Sequence, residues 1–97
     1  MKKGYWIVAY RSISDESAVK AYAELAGPAI RSFGGRGLTL LTSPVQPREA
    51  ASQLPTIVIE FERYEIALAA YDSDAYKTAL KALGSGAQRD FRIVEGA

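Results

Sequence analysis

The run Gly4–Tyr10, GYWIVAY, sets the tightest limit on the fold, because it is apolar on both sides of an extended chain. Successive side chains of a strand point to opposite faces, so Tyr5, Ile7 and Ala9 line one face and Trp6, Val8 and Tyr10 the other. Such a strand needs cover on both sides. The stretch that supplies most of the cover is Pro55–Tyr76, PTIVIEFERYEIALAAYDSDAY. Its TIVIEF segment is β-branched and aromatic over a strand's length, with Ile57, Ile59 and Phe61 against Val58 and Glu60, and reads as a central strand. From Arg63 to Tyr71 the spacing becomes helical, with Tyr64, Ala67, Leu68 and Tyr71 on one face, until Asp72–Ser73–Asp74 interrupts it. Ser73 or Asp72 then caps a second helical piece whose stripe is Tyr76, Ala79, Leu80 and Leu83, closed by Gly84–Ser85–Gly86.

The other elements follow by the same rules. Ser14 is placed to cap a helix with Asp15 and Glu16 in its first turn, where carboxylates favour the helix dipole. Val19, Tyr22, Ala23, Ala26, Ile30 and Phe33 form its stripe, and Gly34–Gly35 supplies a left-handed stop. Gly27–Pro28 predicts a kink or split, since proline removes a donor and crowds the Glu24 carbonyl. Arg36–Thr42 reads as a second strand, with Leu38 and Leu40 on one face and Leu41 on the other. Ser43–Gln53, with two prolines, reads as a long connection holding a helical turn at Arg48–Ser52. Asp90–Glu95 alternates as a last strand. The order βαββαβ predicts a single α+β domain over residues 1–97, a ferredoxin-like sandwich with a four-stranded antiparallel sheet and its helices on one face. One sheet face is then bare, extended by Leu41 and Val94, and exceeds what monomers usually expose, so a homodimer through that face is expected. Val8→Asp tests it if Val8 lies on the bare side.

Composition narrows the function classes. The 97 residues are 48% hydrophobic and 24% charged with net charge +1, which points to a soluble globular protein with no nucleic-acid partner. Histidine and cysteine are both absent, removing disulfides, thiolate nucleophiles, His-containing triads and nearly every common zinc site. No metal and no cofactor are expected, although an Asp/Glu-only magnesium or calcium site passes this filter. MKKGYWIVAY starts basic but lacks a signal-peptide cleavage pattern, and no apolar run is long enough to span a membrane, so a cytoplasmic location and no membrane partner are expected.

KGYWIVAY, the helix ending FGGR, IVIEF, AYDSDAY and the closing RDFRIVEG resemble, in that order and over nearly the whole chain, the domain-of-unknown-function family 1330. The resemblance implies the dimeric α/β-barrel variant of the ferredoxin-like fold. Proteins sharing that fold include cofactor-free monooxygenases, small isomerases and haem-handling proteins, so the fold by itself selects no function. At Asp74 the chain departs from the commoner form, in which a proline follows YDS; aspartate suits a first helical turn equally well.

Three sets of residues are candidates for a site. Tyr71, Asp72, Ser73 and Tyr76 concentrate hydroxyls and carboxylates at a break between helices, where a helix N-terminus attracts anions; capping and core packing account for the same residues more plainly. Arg36 and Glu60, across the second and third strands, could form an inward ion pair that holds a polar group, or a structural pair at the rim. Tyr22 and the other aromatics could line a pocket, though aromatic stripes at this spacing are usually core. Arg89–Asp90 is a weaker candidate, and Gly34–Gly35–Arg36–Gly37 follows a helix instead of opening one, the wrong context for a phosphate loop. The expected function is a small homodimeric protein holding a small apolar or aromatic metabolite between sheet and helices, oriented by tyrosine hydroxyls and Arg36. The alternatives are a cofactor-independent monooxygenase- or isomerase-like enzyme using Tyr or Asp for proton transfer, and a purely structural dimer.

Overall fold

A computed structural model describes all 97 residues. Strand β1 (Gly4–Ile13) is followed by helix α1 (Glu16–Ser32), strands β2 (Arg36–Gly37) and β3 (Thr56–Phe61), helices α2 (Tyr64–Asp72) and α3 (Asp74–Leu83), and strand β4 (Ala87–Glu95). The sheet order is β2-β3-β1-β4 with every pair antiparallel. This is the ferredoxin-like sandwich, with the second helix divided in two.

Register explains which face is covered. Trp6 lies between Ile59 and Ile93, Val8 between Ile57 and Phe91, and Tyr10 beside Arg89. These residues, with Phe61, face the helices and meet Val19, Tyr22, Ala26 and Ala29 of α1, Ala67 and Ala70 of α2, and Tyr76, Ala79 and Leu83 of α3. The opposite face carries Tyr5 between Glu60 and Val94, Ile7 between Val58 and Arg92, and Ala9 between Thr56 and Asp90. Val8 is therefore core, at 3% exposure, and a charge there would unfold the chain without testing a dimer. Ile7 is the residue at the centre of the outer face.

Element boundaries differ from the sequence expectation for identifiable reasons. Strand β1 runs three residues past Tyr10, through an irregularity between Tyr10 and Ser12, because β4 starts three residues earlier than expected and pairs Ala87 with Ile13. The cap of α1 is Asp15, whose carboxylate accepts from the amides of Ser17 (3.0 Å) and Ala18 (3.2 Å); Ser14 instead bonds Ser85. The Ser17 hydroxyl and these amides hold the Asp15 carboxyl below the usual range. Helix α1 passes through Pro28 unbroken. Pro28 and Glu24 both face solvent, so water can satisfy the carbonyl that proline leaves unpaired. Strand β2 stops after Gly37 because the Thr39 side chain takes over the ladder, donating to the Thr56 carbonyl (2.7 Å) and accepting from the Val58 amide (2.9 Å). Leu40 and Leu41 then turn toward the helix side, so Leu41 does not extend the outer face. Over Arg48–Ser52 there is a turn and no helix, with Glu49 at φ 54°.

Between α2 and α3, Ser73 donates to the Ala70 carbonyl (2.7 Å) and accepts from the Tyr76 amide (3.2 Å), ending one helix and starting the next. Where β1 begins, α2 comes so close that a Cβ on Gly4 would sit 2.7 Å from the Tyr64 Cα and 2.8 Å from the Ala67 Cβ. Gly4→Ala is therefore expected to lower stability by about 1–3 kcal/mol through overpacking, read as an earlier urea midpoint; an unchanged midpoint would contradict this packing.

Candidate functional site

Helix α1 presents small residues to a sheet that presents large ones. Ala23, Ala26 and Gly27 stand opposite Trp6, Val8, Ile57 and Ile59, and the mismatch leaves space unfilled. The result is an apolar cleft of about 260 Å³ between α1 and the sheet, with Thr39, Leu40 and Leu41 at its mouth. Leu40 is 66% exposed there. A cavity of about 150 Å³ already accepts benzene, so a substituted ring fits.

Besides Thr39, the polar side chains of the lining are Tyr10, Tyr22 and Arg89. Arg89 is on the helix-facing side of β4 because it is two residues before Phe91 in the alternation, opposite Tyr10. Its guanidinium lies 4.7 Å from the Tyr22 ring centre, 5.4 Å from Phe91 and 5.7 Å from Tyr10, within reach for cation–π attraction. The ion pairs of the molecule are Lys3–Glu60, Arg36–Glu60 and Arg92–Asp90; Arg89 has no carboxylate partner. Burial opposes its charge, but the Tyr22 and Tyr76 hydroxyls beside it more than compensate and hold it above the ordinary arginine value.

Behind Tyr22 lies Tyr76, fully buried, with the two hydroxyls 2.6 Å apart and the rings edge to face at 80°. One hydroxyl donates to the other, which leaves a single proton of the pair free for a further acceptor. Burial first, and Tyr22 second, push the Tyr76 phenol far above the ordinary tyrosine range, while Arg89 pulls the other way. Burial likewise raises Tyr10 against the pull of Arg89. No Asp, Glu or His lines the cleft.

The profile of the Domain of unknown function (DUF1330) matches residues 3–97. The chain belongs to the DUF1330 family. No curated protein matches it in sequence. The RPA0582 protein of unknown function from Rhodopseudomonas palustris is similar in structure, at TM-score 0.70 and 14% identity over 97% of this chain and 80% of that one. An ethyl tert-butyl ether D (EthD) family protein from Bacillus halodurans matches at TM-score 0.57 and 15% identity over the whole of both chains. At such identities the likeness is one of fold.

In this DUF1330 chain the candidate residues fall into separate places. Tyr22 and Tyr76 meet, and Tyr71 packs edge-on or tilted against Trp6, Tyr76 and Phe91. Arg36 and Glu60 do pair (3.2 Å), but on the outer face of the sheet, where Glu60 also takes Lys3 at 3.2 Å and the Tyr5 hydroxyl at 3.5 Å. Arg36 is not part of the cleft lining, although it borders an adjoining hollow that shares Gly27, Ile30, Leu40 and Ile57 with it. Asp72 and Asp74 are exposed, no third acidic residue joins them, and Ser73 is occupied in capping. Arg89 is the residue the candidate sets undervalued; continuing the Phe91–Ile93 alternation backwards by two positions places it on the inner face.

The hydroxyl pair makes two expectations. Tyr76→Phe should cost about 0.5–1.5 kcal/mol and Tyr76→Ala about 3–5 kcal/mol in denaturant unfolding, with Tyr22→Phe adding little once Tyr76→Phe is present. A phenol raised in the folded state holds its proton when the unfolded one has lost it, so stability should fall as pH rises above about 10. That slope should flatten in Tyr76→Phe; an identical slope would contradict the burial of this hydroxyl.

Proposed function

We propose that the protein is a small homodimeric binding module that holds a small apolar or aromatic molecule in the cleft between α1 and the sheet. The observation carrying the reading is the cleft itself, an apolar space of about 260 Å³ in which Tyr10, Tyr22 and Arg89 converge at one place, the usual anatomy of a small-molecule site. Its chemistry favours holding over transforming. A cofactor-free enzyme needs a proton acceptor poised near neutrality, and the lining offers tyrosine hydroxyls and a permanent cation. The dimer rests on a different feature, the half-covered row Tyr5, Ile7 and Ala9 flanked by Val58 and Val94, which a second sheet in the same orientation would cover.

Each half has its own test. One-ring aromatic compounds should raise the melting temperature of the wild type by mass action and leave Ala23→Phe unmoved, because Ala23 faces the cleft from the exposed side of α1 and a phenyl there occupies it. No shift in the wild type, or an equal shift in the variant, would defeat the binding reading. For the dimer, sedimentation should give twice the chain mass for the wild type and a folded monomer for Ile7→Asp; a wild-type monomer at micromolar concentration ends that half of the proposal.

A further inference from the structure

The cleft contains a cation with no carboxylate partner, and that feature specifies its ligand more closely than apolarity does. Each other charged side chain on the sheet that pairs does so on the outer face or rim: Lys3 and Arg36 with Glu60, Arg92 with Asp90. Arg89 alone on the inner face is surrounded by rings and hydroxyls, with Tyr10, Tyr22 and Phe91 against its guanidinium. A cation held without a counter-charge in an apolar setting is costly unless something anionic completes it. Aromatic faces and the neighbouring tyrosine hydroxyls offset part of that cost, yet no carboxylate meets the in-plane N–H donors of the guanidinium. The Tyr22–Tyr76 pair adds one unshared hydroxyl proton at the same spot.

Resting on the binding reading above, we infer that the natural ligand is an organic monocarboxylate with an aromatic or branched apolar body, its carboxylate held by the Arg89 guanidinium and the Tyr22 hydroxyl and its body lying along Ala23, Ala26 and Ile57. Planar, two-oxygen anions match the fork of an arginine better than a single-oxygen or neutral group does. The volume admits one ring with substituents, and the apolar walls offer no donors for the many oxygens of a nucleotide or sugar phosphate. The single cation sets the charge at one: a dicarboxylate would bring a second anion into an apolar wall that offers it no donor.

Isothermal titration with benzoate and phenylacetate, against their neutral amides benzamide and phenylacetamide, distinguishes the possibilities at constant shape. The acids are expected to bind the wild type at least about tenfold more tightly than the amides, the scale of one charge-assisted hydrogen bond. Arg89→Met should remove that difference while leaving the amides bound as before, and Arg89→Lys should retain part of it. The comparison in the wild type stands even if Arg89→Met fails to fold. Amides binding as tightly as acids, or acid affinity unchanged in a folded Arg89→Met, overturns the carboxylate assignment and leaves an apolar cleft. Failure of all four compounds to bind overturns the carboxylate assignment and the binding reading together.

Discussion

The indole of Trp6 organises the molecule. It is completely buried and donates its N–H to the Ala67 carbonyl of α2 at 2.9 Å, so the one polar atom of the largest core side chain is satisfied by the helix that must lie over it. Around it stand Tyr76 at 4.9 Å, Phe61 and Phe91 at 5.1 Å and Tyr71 at 6.1 Å, all tilted or edge-on. Truncating a buried aromatic of this size costs about 3–5 kcal/mol, against a total of about 5–15 kcal/mol for a whole domain. The contact also explains two glycine and alanine positions. With α2 pinned to the start of β1, Gly4 cannot carry a side chain and Ala67 must be small.

Large rings on the sheet then dictate what the helices can be. On the α3 side a tyrosine fills the space against Trp6; on the α1 side alanines and a glycine leave it open. Filled and open halves of one interface meet at Tyr22, which belongs to both, touching Tyr76 on one side and lining the cleft on the other. Arg89 stands at the same junction. Its charge is sustained by ring faces and hydroxyls, while Glu60 and Asp90 of the sheet are committed to Lys3, Arg36 and Arg92 on the other surface. The fold therefore separates two polar systems, one of ion pairs outside and one inside in which the cation has no carboxylate partner.

The two alternating sets of β1 and β3 were legible because their alternation is unbroken, but not which set faced inward, and Val8 proved to be core; the cap at Ser73 or Asp72 was legible because both side chains favour that local role, and it is Ser73. Tyr76 was recognisable as a buried ring, but its partner was not, since Tyr22 is 54 positions away and nothing local couples them. Ala87–Gln88–Arg89 reads as the tail of a glycine-rich turn, and only pairing with Ile13, Ser12 and Tyr10 makes it strand. The same tertiary pairing turned Arg89 inward. Arg36–Thr42 misled in the opposite direction: its leucines alternate like a strand, yet the Thr39 side chain replaces the backbone ladder and releases Leu40 and Leu41 to border the cleft. In each case the departure comes from a non-local hydrogen bond or pairing that overrides a sound local pattern.

Gentle purification of the protein from its own source, followed by denaturing extraction and mass spectrometry of what is released, tests the central claim most directly. The account predicts a substoichiometric to stoichiometric organic acid of one-ring size that carries a single carboxylate and is absent from protein bearing Arg89→Met. Recovery of a nucleotide, a sugar phosphate or a neutral compound in its place, or of the same acid from the Arg89→Met protein, would contradict it.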